Sequence, residues 1–200
     1  MKKILFALGG LLCAINVYAT PVVQGVDYVI ATSPMKTVTP KGKINVKEFF
    51  SFTCIHCKDV EPLMEASVVK NKKVYLERIQ VPWDATTTSL AKLNATYQMM
   101  NLDRMYTPTF NAVFAGQDLT KSDGLTSFLK QNKIDVTKFM ANYNSFAVSM
   151  AAGKYKDLMK AYSVDGTPTF VVADKYILKP AQPARIVEVL QYLISQQKVK

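Results

Sequence analysis

Cysteine and histidine are scarce in this chain of 200 residues: Cys13, Cys54 and Cys57 are its only cysteines and His56 its only histidine. That scarcity excludes a scaffold stapled by several disulfides, which needs more bridges spaced farther apart. It also leaves structural zinc short of its four ligands, since two thiols and one imidazole have no second cysteine pair to join them. Arginine-rich runs and basic patches interleaved with aromatics are missing too. The net charge of +10 therefore reads as lysines scattered over a solvated surface, with no nucleic acid as partner. Internal repeats and low-complexity tracts are absent. With 49% hydrophobic and 20% charged residues the chain has the composition of a globular protein, and its length suits one domain, or one domain carrying an insert.

No apolar run reaches the ~20 residues that a membrane span needs. The longest, Ile4 to Ile15, follows Met1-Lys2-Lys3 and precedes Val17-Tyr18-Ala19. Residues 1–19 are expected to be a signal peptide cut near Ala19, and the mature protein to be exported. Cys13 follows Leu12 where a lipid-attachment site wants a small residue, so it leaves with the signal, as do Lys2 and Lys3. Cys54 and Cys57 then carry all the thiol chemistry.

Three blocks follow. Residues 43–52 alternate and then turn aromatic, as a strand entering a core does, after a turn at Lys41-Gly42. A helix over 55–69 and a second strand over 74–81 complete a β-α-β unit with parallel strands. Residues 84–149 read as helical, with Leu90, Leu93, Tyr97, Met100, Phe128, Leu129, Phe139, Tyr143 and Phe146 at helical intervals. The third block holds a helix over 154–162, Gly166-Thr167-Pro168, strands over 169–173 and near Tyr176, and a last helix over 183–196. The expected organisation is an α/β domain over 20–83 and 150–200, interrupted by an all-helical module over 84–149.

Cys54-Ile55-His56-Cys57 opens the first helix. Cysteines three apart on a first turn share a face at a distance that a disulfide tolerates. Cys54 meets the unpaired N–H groups and the positive end of the helix dipole, which favour thiolate over thiol. An imidazolium at His56 would add to this. Because the thiolate belongs to the reduced form, its stabilisation makes the disulfide a stronger oxidant. Cys57, one turn in and deeper, is the expected resolving thiol. Against this stand a purely structural disulfide, which in so short a loop gains only about 2 kcal/mol, and a His56 that is merely a surface residue.

Glu48-Phe49-Phe50-Ser51-Phe52-Thr53-Cys54-Ile55-His56-Cys57, Pro62, and the stretch from Asn144-Ser145-Phe146 through Gly166-Thr167-Pro168 to Lys175-Tyr176 resemble the DsbA-type periplasmic thiol:disulfide oxidoreductases. The likeness spans essentially the whole mature chain. It implies a thioredoxin fold with an inserted helical domain, a redox-active Cys54–Cys57 disulfide with no bound cofactor or metal, and a cis bond at Thr167-Pro168 facing the sulfurs. In that resemblance the Thr167 backbone binds an incoming extended chain. Glu48 and Arg78 match a buried acid and a nearby lysine that serve proton transfer. Ile55 stands where the best-known members have proline and Thr167 where many have valine, and both bear on the thiolate's stability. The implied activity is oxidation of reduced or unfolded exported proteins in the periplasm, with recharging by a membrane, quinone-linked DsbB-like oxidase. The alternatives are a disulfide isomerase or reductase, to which Thr167 leans, and a non-catalytic peptide-binding chaperone. Only residues 20–42 precede the first strand, too few for a dimerisation domain, so a monomer is expected.

Overall fold

The computed structural model describes residues 20–198; the expected signal peptide lies outside them. Five strands form one sheet in the order β1-β5-β4-β2-β3. They are β1 (Tyr28–Ile30), β2 (Ile44–Phe50), β3 (Val74–Gln80), β4 (Thr169–Val172) and β5 (Tyr176–Leu178). β2 pairs β3 in parallel, through the crossover helix α1 (Ile55–Met64), while β4 runs antiparallel to β2 and to β5. The β-α-β unit is therefore present as expected. β1, an edge strand of three residues antiparallel to β5, was not anticipated.

All seven residues of β2 are buried, because helices cover both faces of the sheet. The strand period of two sends Ile44, Val46, Glu48 and Phe50 to one face and Asn45, Lys47 and Phe49 to the other. Ile44 and Val46 join a core with Val60 and Met64 of α1 and with Ile186, Leu190 and Leu193 of α7 (Pro183–Ser195). Phe49 joins the opposite core with Ala91 and Ala95 of α2 (Ala85–Met99) and Val148, Tyr155 and Leu158 of α6 (Phe146–Ala161). On this face Lys47 is buried against Thr37, Asn45, Glu77 and Asp174, which departs from the expectation that the lysines lie on the surface.

Between β3 and β4 the chain is helical: α2, α3 (Tyr106–Phe114), α4 (Ser122–Gln131), α5 (Val136–Tyr143) and α6. This is a thioredoxin fold with a helical insertion. α6 starts at Phe146 and runs unbroken past residue 149, so the chain leaves the helical block inside a helix and not through a linker. The helix thus begins before the expected 154–162 span, and Gly153 within it sits where an added Cβ would meet nothing within 4 Å, so only propensity is lost there. Pro62 lies inside α1, and the helix passes into a π-helical turn over Glu65–Val69.

Candidate active site

The site forms at the C-terminal end of β2. Gln80 of β3 fixes the exit from the strand: its Oε1 accepts from the Phe52 N–H (2.8 Å) and its Nε2 donates to Ser51 Oγ (3.1 Å). The turn brings Cys54 to the N-cap of α1 with φ −94° and ψ 118°. The sulfur stands where a capping oxygen would, before the free N–H groups of His56 and Cys57. As a thiol it donates instead to the Thr167 carbonyl (3.4 Å) and makes no cap hydrogen bond. As a thiolate it can only accept. Beyond it, the Thr167-Pro168 peptide is cis, as expected.

Both cysteines are free thiols, Cys54 half-buried and Cys57 buried. Donation from the Cys57 thiol lowers the Cys54 pKa to about 5, against burial, and the Thr167 hydroxyl and the N–H groups of Cys57 and His56 add to the effect. Burial pushes the Cys57 thiol well above its ordinary range, and the charges of Cys54 and Glu48 push it the same way. The two sulfurs thus differ as an attacking and leaving thiolate on one side and a protonated, shielded partner on the other. The extra hydroxyl of Thr167 favours the thiolate, and so works towards an oxidising pair. Ile55 and His56 are exposed. From His56 it is the backbone N–H, not the ring, that acts on Cys54 among the causes just given.

Glu48 and Arg78 are adjacent across the β2–β3 ladder and are buried, not ordinary exposed strand residues. Arg78 Nε approaches Glu48 Oε2 to 3.1 Å without the alignment of a hydrogen bond, and neither atom has another partner among the described residues. Arg78 spends its fork elsewhere, on Glu61 of α1 (Nη1–Oε1 3.2 Å, Nη2–Oε2 3.0 Å), with Glu65 at 3.6 Å and the Tyr106 ring stacked on the guanidinium at 3.9 Å. Burial raises the pKa of Glu48, and that of Glu61 to about 7, while Arg78 opposes both. Burial works against the charge of Arg78 itself, but Glu48 and Glu61 hold it charged. Sequence reasoning missed Glu61, although its place four residues after Cys57 puts it on the same buried helix face.

Phe50 and Phe52, which flank this turn, pack with Cys57 against Tyr97, Tyr106 and Phe110 of the helical block. The insert thereby walls the inner sulfur off from water.

A thioredoxin family model matches residues 38–192. The thiol:disulfide interchange protein DsbA of Burkholderia cepacia is 33% identical over 179 residues, covering 86% of this chain and 84% of its own. DsbA of Pseudomonas syringae pv. tomato is 30% identical over 190 residues, covering 90% and 86%. Among solved structures, a variant of Pseudomonas aeruginosa DsbA superposes with a TM-score of 0.80 at 28% identity, covering 88% of this chain and 98% of that one. The oxidoreductase NmDsbA1 of Neisseria meningitidis gives 0.75 at 27%, covering 87% and 93%. With its paired thiols at a helix start and relatives along nearly its whole length, the chain belongs to the thioredoxin superfamily as a DsbA-type protein thiol:disulfide oxidoreductase.

Proposed function

We propose that the protein works as an oxidase of exported proteins in the periplasm, through Cys54 and Cys57 with no further cofactor. A substrate thiolate attacks Cys54 of the disulfide, forming a mixed disulfide and releasing Cys57, which takes up a proton. A second substrate thiolate attacks the substrate sulfur of that bond and expels the Cys54 thiolate. The substrate loses two electrons and gains a disulfide, and the protein is left as dithiol. A membrane, quinone-linked DsbB-like oxidase removes those electrons. The observation that carries this reading is the half-buried Cys54 at the N-cap of α1, before the His56 and Cys57 amides and beside the buried Cys57 thiol. This arrangement favours the thiolate, makes Cys54 a good leaving group and lowers the free energy of the reduced form.

In this reading Thr167 and cis-Pro168 hold the substrate chain beside the sulfur, with Ile55 and His56 on the same rim. Glu48, backed by Arg78, exchanges the proton that Cys57 gains and loses. Oxidation of a reduced two-cysteine peptide by the oxidised protein tests the proposal: wild type transfers its disulfide, and Cys54→Ser and Cys57→Ser both lose the transfer. Unchanged activity in either variant would leave only a peptide-binding role.

A further inference from the structure

Trp83 is the only tryptophan of the chain and is 51% exposed. It follows β3 and precedes Asp84, the N-cap of α2, whose capping box with Thr87 is complete without it. A residue in this position normally packs on the fourth helical residue, but that residue is the exposed Thr88. The indole therefore serves no staple. Instead it lines a depression of about 520 Å³ with Pro82, Met159 and Val164, bordered by Lys156, Lys160 and Asp165. Neither lysine has an ion-pair partner among the described residues.

The depression ends at Asp165, in the segment that leads to the loop beside the reacting sulfur. Asp165 is two residues before Thr167, whose carbonyl lies 3.4 Å from Cys54 Sγ, and an extended chain covers about 7 Å in two residues. Trp83 lies three residues past the end of β3, whose parallel neighbour β2 ends at Phe50, four residues before Cys54. Any polypeptide joined to Cys54 and running along the 165–167 segment arrives at Trp83 within two or three residues of its own cysteine. Amphipathic, rigid indoles are favoured at such contacts, and two unpaired lysines beside one aspartate favour acidic neighbours.

We propose that Trp83, Pro82, Met159 and Val164 form a substrate subsite that takes an apolar side chain two or three residues from the substrate cysteine, with Lys156 and Lys160 selecting an acidic residue beside it. The inference rests on the thiol-exchange reading above.

The test uses the reduced Cys57→Ala protein and peptides whose single cysteine is a mixed disulfide with nitrothiobenzoate. The Cys54 thiolate attacks the peptide sulfur and expels nitrothiobenzoate anion, leaving the peptide on Cys54. Peptides with Leu-Glu two and three residues from the cysteine, on either side, are compared with Ser-Lys peptides. In otherwise unchanged Cys57→Ala protein, trapping a Leu-Glu peptide shifts the Trp83 emission to the blue, and these peptides react about tenfold faster than Ser-Lys peptides relative to the small reagent dithionitrobenzoate. Adding Trp83→Ala collapses that preference, and adding Lys156→Glu with Lys160→Glu reverses its charge component. Equal rates for both peptides, or no change in emission on trapping, overturn the subsite while leaving thiol exchange standing. An emission shift that follows protein concentration without peptide puts a second copy there and overturns it as well. Failure of Cys54 to react even with dithionitrobenzoate sinks the exchange reading and this inference together.

Discussion

Replacing Cys57 by alanine removes the donor that does most to lower the Cys54 pKa. A hydrogen bond to an ionised acceptor is worth about 1.5–3 kcal/mol. Cys54 is half-buried, so solvent screening brings the expected loss to the lower end, about 1.4 kcal/mol, which is one pKa unit. The thiolate of Cys57→Ala should therefore titrate about one unit above the wild-type value of about 5. Cys57→Ser keeps a donor of similar reach and should stay close to wild type. Thiolate absorbance followed against pH measures this, with the pH dependence of iodoacetamide alkylation as an independent check. If the alanine and serine variants titrate together, or alanine matches wild type, the inner thiol is not what holds Cys54 ionised, and the helix amides with Thr167 carry the whole effect.

Two further outcomes follow from the buried charges. Lys47→Ala leaves Asp174 and Glu77 without their buried cation and should cost about 3–5 kcal/mol of unfolding free energy in a urea titration; a loss under about 1 kcal/mol contradicts the ion cluster. The stability gap between reduced and oxidised protein should depend on pH. Cys54 has a depressed folded pKa, so its contribution to the reduced form is complete above about 9.0 and lost as pH falls through about 5. The oxidised form lacks that thiol, whereas Glu61, whose raised pKa gives stability below about 4.5 that is lost as pH rises through about 7, is common to both forms and drops out of the difference. Reduced-minus-oxidised melting temperature should rise with pH across this range, and a flat difference contradicts the assignment.

The central strand, the helix that follows it and the two thiols were legible because buried strands and helix starts leave strong local patterns. β1 was not, since a three-residue edge strand with two exposed residues shows no alternation. Lys47 was illegible for a different reason: a charged residue in a strand reads as solvent-facing, and only tertiary pairing with acids from other elements reveals it as buried. Glu48 was flagged through the family resemblance, whereas Glu61 and Glu65 stayed hidden in what read as an ordinary helix. The position of Trp83 likewise emerges only when the end of β3, α6 and the cis-proline loop come together.

The central claim is that a sulfur held ionised makes this pair an oxidant. From 9.0 to about 5, the shift stabilises the reduced form at neutral pH by about half its span, which after screening is about 1.4 kcal/mol, or about 30 mV. Equilibration with reduced and oxidised glutathione, read by the Cys54–Cys57 redox state, measures it directly. The account predicts a potential at least about 30 mV less negative than the thioredoxin figure of about −270 mV; a value at that figure or more negative would contradict it.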